Sequence, residues 1–84
     1  MGKYEKLVGK ILQGLSDKNI SFDDLRVLLK KIGFSEHISG SHHVYRMNGI
    51  EEKINLQKDG NQAKPYQIKQ VRGIILKYHL GECL

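Results

Sequence analysis

Apolar positions in the first third of the chain repeat with the period of a helix. Tyr4, Leu7, Val8, Ile11 and Leu12 fall on one side of a segment running from Lys3 to Gln13, and Gly14 stops it. Ser16-Asp17-Lys18-Asn19 is a polar connector. Ser21 is followed three residues later by Asp24, the spacing of a capping box, in which the hydroxyl accepts from a first-turn N–H and the carboxylate reaches back. Phe22, Leu25, Leu28, Leu29 and Ile32 then form one apolar stripe. Lys30 and Lys31 suit the negative end of the helix dipole, and Gly33 ends the helix.

From Phe34 the period shortens to two. A short strand is expected from Phe34 to Ile38, a turn at Ser39-Gly40-Ser41 and a second strand from His42 to Met47. Asn48-Gly49 carries the signal of a two-residue type I′ hairpin, whose central residues both take positive φ. Ile50, Ile54 and Leu56 alternate with Glu51, Lys53 and Asn55 in a third strand, and Lys58-Asp59-Gly60-Asn61 reads as a loop. Pro65 presets φ for the first turn of a last helix, which carries Ile68, Val71, Ile75 and Tyr78 inward, with Ile74 alongside, and ends near Gly81. The expected class is α+β, with a three-stranded antiparallel sheet, helices on one face and the other face open. A helical extension over 1–19 would precede one domain over 20–84.

The hairpin sets a register. With Asn48 and Gly49 as the turn, Arg46 faces Glu51, Tyr45 faces Glu52, Val44 faces Lys53, His43 faces Ile54 and His42 faces Asn55. Alternation places His43, Tyr45, Met47, Ile50, Ile54 and Leu56 on the core side, and His42, Val44, Arg46, Glu51, Lys53 and Asn55 on the open side. The adjacent histidines therefore point opposite ways. His42 is exposed beside Arg46, Lys53 and Asn55, whereas His43 is expected at the core edge, hydrogen-bonded to backbone. His37 has no identifiable partner and is expected on the surface, and His79 lies in the last helical turn, where a cation suits the dipole.

Composition narrows the chemistry. In 84 residues, 14 Lys+Arg against 9 Asp+Glu give a net charge of +5, which favours a polyanionic partner. The longest apolar run is Ile74-Ile75-Leu76, far short of a membrane span, and the first residues lack the apolar stretch of a signal peptide. The single cysteine, Cys83, leaves no intrachain disulfide, so a cytoplasmic location is expected. The diverging histidine pair and the lack of CxxC or HExxH spacing argue against a metal, and no motif calls for a cofactor. RNA brings its own nucleophile, the 2′-OH, so a protein that cuts it need supply only proton transfer and charge stabilisation. A histidine with a reference pKa near ~6.5 moves protons at neutral pH, and neighbouring cations stabilise the phosphate. His42 beside Arg46 and Lys53 meets that need. The same placement also fits a histidine that only contacts phosphate or water. Lys64, Lys69 and Arg72, on or beside the last helix, suit either phosphate tracking or an ordinary solvated helix face.

The helix-strand order from the second helix onward, α-β-β-β-α, resembles that of double-stranded-RNA-binding domains. Gly40-Ser41-His42 opening the second strand, preceded by Leu25-Arg26-Val27-Leu28-Leu29-Lys30-Lys31-Ile32-Gly33-Phe34, resembles the HicA family of type II toxin–antitoxin toxins. Ile54-Asn55-Leu56-Gln57 and Lys64-Pro65-Tyr66-Gln67-Ile68-Lys69-Gln70-Val71 resemble its third strand and last helix, so the likeness covers Ile20 to about Tyr78. It implies a fold like that of double-stranded-RNA-binding domains and an mRNA-cleaving endoribonuclease. It also implies a HicB-type antitoxin covering the active face, with DNA contacted only through that antitoxin. The family's catalytic histidine follows Gly-Ser, which corresponds to His42. Two other readings stay open at this point: a non-catalytic RNA-binding module, and an interaction subunit that tunes a partner's DNA binding. The open face offers no ring on which a base would stack, which counts against single-strand reading.

Overall fold

The structure is a computed structural model describing residues 2–83. Helix α1 (Lys3–Gln13) ends where Gly14 turns left-handed, φ 73°, and its N–H bonds the Ile11 carbonyl. Helix α2 (Phe22–Ile32) starts at Ser21, whose hydroxyl accepts from the Asp24 N–H at 3.3 Å. The other half of the expected capping box is replaced: the Asp24 carboxylate pairs with Lys3 Nζ at 3.1 Å, joining α1 to the start of α2. Strands β1 (Ser35–Ser39), β2 (His42–Arg46) and β3 (Ile54–Leu56) form an antiparallel sheet with β2 in the middle. A small second hairpin, β4 (Lys58–Asp59) and β5 (Gln62–Ala63), stands where a loop was expected. It is tied to the entry of α2, since Ala63 N–H bonds Ile20 O and Phe22 N–H bonds Asn61 O. Helix α3 (Pro65–Tyr78) opens on Pro65 as expected and ends at His79, which takes φ 56° as its cap. The class is α+β, with three helices and a three-stranded antiparallel sheet. The Cys83 side chain lies outside the described residues.

The tight hairpin lies at Gly40-Ser41, where Ser39 pairs with His42 and Gly40 alone takes positive φ, 60°. That is the type II′ pattern, with glycine at the first central position. At Asn48-Gly49 only Gly49 has positive φ, 88°, and Ile50 N–H bonds Met47 O at 3.1 Å, a type II arrangement rather than type I′. The chain then leaves the sheet. Glu52 receives the Tyr78 hydroxyl and Lys77 Nζ, which hold its carboxyl down to about 2, and Lys53 O accepts from Gln70 Nε2 at 3.2 Å. The residues from Ile50 to Lys53 thus follow α3 instead of β2. The register is consequently His43 to Leu56, Val44 to Asn55 and Tyr45 to Ile54, two residues beyond the expected one. A shift of two keeps every side chain on its expected face.

One core collects Val8 and Ile11 from α1, Phe22, Leu25, Leu28 and Leu29 from α2, Tyr45, Ile54 and Leu56 from the sheet, and Ile68, Val71 and Ile75 from α3. The α1 segment, expected as an extension, shares this core. Arg72 of α3 bonds the Ile11 carbonyl at 3.0 Å and grips both oxygens of Asp17 at 3.0 and 3.1 Å. This consumes a cation considered above for phosphate tracking. On the core side of β1, Glu36 receives Arg26 Nε at 2.8 Å, Arg26 Nη2 at 3.1 Å and the Tyr45 hydroxyl. Chiefly the Arg26 hydrogen bonds, against the opposing effect of burial, hold the Glu36 carboxyl down to about 2.

Two outcomes follow for stability. Glu36 binds protons less readily folded than unfolded, so its contribution is complete above the ordinary carboxylate range and lost as pH falls from about 4.5 toward about 2. Urea melts of the wild type should lose on the order of 2–3 kcal/mol across that window through this group, and Glu36→Gln should be weaker at pH 7 and flatter toward acid. Equal slopes for both proteins would refute the assignment. Arg72→Ala should lower the melting temperature and speed amide exchange in α1 more than in β2; uniform exchange across the chain would mean that α1 is held by its apolar stripe alone.

Candidate active site

Strand alternation gives the sheet a face turned away from the helices. Pairing of Ser35 with Arg46, His37 with Val44, Ser39 with His42 and Val44 with Asn55 puts all seven side chains on it. All are exposed except Val44, which is partly buried. None is a carboxylate. The face is therefore polar, weakly basic and open, as the sequence implied.

His42 stands at one end of β2, directly after the Gly40-Ser41 turn. Its neighbours differ from those expected. The Gln57 amide nitrogen lies 3.4 and 3.5 Å from the two ring nitrogens, and Lys64 Nζ donates to Gln57 Oε1 at 3.3 Å. The chain His42–Gln57–Lys64 arises because Gln57 follows β3 immediately and Lys64 precedes α3, where its N–H donates to Gln67 Oε1 at 3.3 Å. Contacts of 3.4–3.5 Å are long for a nitrogen donor, so the imidazole is steadied rather than locked.

Arg46 lies four residues along the same strand, about 13 Å away at the usual strand rise. The expected trio of His42, Arg46 and Lys53 is not gathered at one point. Lys53 instead lies just before β3, its carbonyl held by Gln70 of α3, and Arg46 stands at the opposite end of the face. There Arg46 lines an open cleft of about 500 Å³ with Gly33, Ser35 and the turn from Met47 to Ile50. Lys69 lines a separate open cleft with Pro65 and the connector between Gly14 and Asn19. Among the described residues no carboxylate pairs with Arg46, Lys53, Lys64 or Lys69. Nor do three His, Cys, Asp or Glu side chains gather as a metal site among them.

His43 points inward as expected, but its bonding differs. Its ring meets Phe22 edge-on at 5.0 Å between centroids, and Nδ1 is buried without a hydrogen-bond partner, 3.7 Å from Glu36 Oε2. Packing on Phe22, not a backbone hydrogen bond, holds it. Three features escaped the sequence reading. Gln57 has no motif value by itself, and only the register brings it to His42. Glu36 carried no signal in the sequence, and only the fold closes Arg26 and Tyr45 on it. Tyr66, 62% exposed in the first turn of α3 and two residues after Lys64, supplies an aromatic ring, although none lies on the sheet face.

Compared with protein-family models, curated proteins and solved structures, the chain matches none. Function therefore rests on the site and on the resemblance noted in the sequence. The two histidines separate cleanly by experiment: His43→Ala should cost about 1–2 kcal/mol in chemical denaturation, through the lost contact with Phe22. His42→Ala should leave the midpoint unchanged. A destabilised His42 variant beside an unaffected His43 variant would invert the two assignments.

Proposed function

We propose that this chain is an endoribonuclease toxin of the HicA type, cleaving mRNA in the cytoplasm with His42 as its catalytic acid or base. The observation that carries the reading is His42 on an open sheet face free of carboxylates, backed by Gln57 and Lys64. The chemistry asks for a proton-transferring group with cations near the phosphate, on a surface that an extended polyanion can reach. Arg46, at the far end of the face, and Lys53 hold a neighbouring stretch of the strand, and Lys64 serves the phosphate nearest His42. Lys69 binds outlying phosphate. A HicB-type antitoxin masks the face by presenting carboxylates in place of phosphates, and DNA is met only through that antitoxin. No helix among the described residues is long and apolar enough to cross a membrane.

Tyr66 beside Lys64 favours a second reading, a module that holds RNA without cutting it. Labelled RNA incubated with pure protein separates the two. Cleavage by the wild type and a rate lower by at least about 10²-fold in His42→Ala is the expected result, and a His42→Ala protein cutting at the wild-type rate would refute the assignment. Binding to an uncleavable RNA should weaken steeply with salt, and Lys64→Ala should reduce the log–log slope by roughly 0.7 to 0.9. An unchanged slope would remove Lys64 from the footprint.

A further inference from the structure

Cleavage through a 2′-OH needs two proton transfers, and one imidazole supplies only one of them at a time. As the 2′-oxygen attacks, its proton must be taken up. As the P–O5′ bond breaks, the departing 5′-oxygen takes the electron pair and needs a proton in return. The sheet presents a second group of the right chemistry. His37 of β1 pairs with Val44, while His42 pairs with Ser39. His37 and His42 are therefore diagonal neighbours on the same face, about 7–8 Å apart at the backbone. Both are exposed, and Val44, partly buried, forms the floor beside them. Exposed imidazoles on backbone positions so spaced are within reach of one phosphodiester laid across the face, with His42 steadied on its other side by Gln57.

Resting on the ribonuclease reading above, we propose that His37 is the second catalytic residue, forming with His42 a general acid–base pair across one phosphodiester. The neutral ring of the pair accepts the 2′-OH proton while the P–O2′ bond forms. The protonated ring donates to the 5′-oxygen while the P–O5′ bond breaks. The products are a 2′,3′-cyclic phosphate and a 5′-hydroxyl, and the pair ends with its protons exchanged, needing no metal or redox partner. The other ionisable groups near this face are Arg46, and at its rim Lys53 and Lys64. Glu36 and His43, though adjacent in the strands, point to the opposite side. His37 has no ionic partner among the described residues and stays available to a substrate.

The test compares wild type, His37→Ala, His37→Gln and His42→Ala, each first shown to melt like the wild type. On ordinary RNA both His37 variants should lose about 10²- to 10⁴-fold in rate, the usual contribution of a positioned acid or base. The bell-shaped pH profile should lose one limb in His37→Ala and the other in residual His42→Ala activity. An RNA with sulfur at the scissile 5′ position leaves without protonation, so it should restore the one variant that lacks the acid and leave the other defective. Wild-type cleavage with an unimpaired His37→Ala, or with both limbs kept in that variant, overturns the pair while leaving His42 in place. A defective His37→Ala, with neither variant rescued by the sulfur substrate, also overturns it. Failure of the wild type to cleave any RNA defeats the ribonuclease reading and this pair together.

Discussion

Tyr45 sits in the middle of the middle strand with no exposed surface, its ring in the core and its hydroxyl on Glu36. Successive side chains of a strand point to opposite faces, so burying this one large residue commits its neighbours as well. His43 goes inward against Phe22, and His42, Val44 and Arg46 go outward. The orientation of every candidate group on β2 follows from that anchor. Sliding β2 by one residue would expose Tyr45 and bury Arg46 without a partner, an outcome that desolvation forbids.

The acidic residues explain why the outer face is basic. Glu36 is used beneath the sheet by Arg26, Asp17 by Arg72, Asp24 by Lys3 and Glu52 by Lys77. Each ties one element to another: β1 to α2, the connector to α3, α1 to α2, and the β2–β3 connection to α3. Carboxylates engaged in this way neutralise cations away from the open face. Arg46, Lys53 and Lys64 are left around it without acidic partners among the described residues. The net charge of +5 favours a polyanion in general, and the carboxylate-free face offers it Arg46, Lys53 and Lys64.

The shape of that side limits what it can bind. The cleft at Arg46 is open, and His42 stands on an exposed strand end with no enclosing wall among its neighbours. A small molecule would find little to surround it there. A polymer with charges at regular intervals can touch both ends of the face at once, and summed contacts then supply the affinity that no single pocket does. The proposed ribonuclease reading agrees with this geometry, and a partner that mimics the polymer's charge would compete for the same surface.

Periodicity with its stop signals located α1 and α2 to within a residue, because each buries one stripe and ends at glycine, and the only proline marks the start of α3, whose end at Tyr78 falls short of the expected Gly81. Parity was legible too: Tyr45, Ile54 and Leu56 had to share a face, and that put His42 outside. Local sequence did not reveal which glycine dipeptide closes a tight hairpin. Gly40-Ser41 does so, whereas Asn48-Gly49 opens a longer connection, because Glu52 and Lys53 find partners on α3, far away in sequence. That long-range capture moves β3 by two residues and brings Gln57, not Asn55, to His42. It also separates Arg46 from His42, and cross-strand pairing with β1 sets His37 beside that histidine. Side-chain facing is a property of a strand by itself, with a period of two that composition reveals. Neighbourhood across strands depends on where connections are pinned by other elements, and only the assembled tertiary structure decides that.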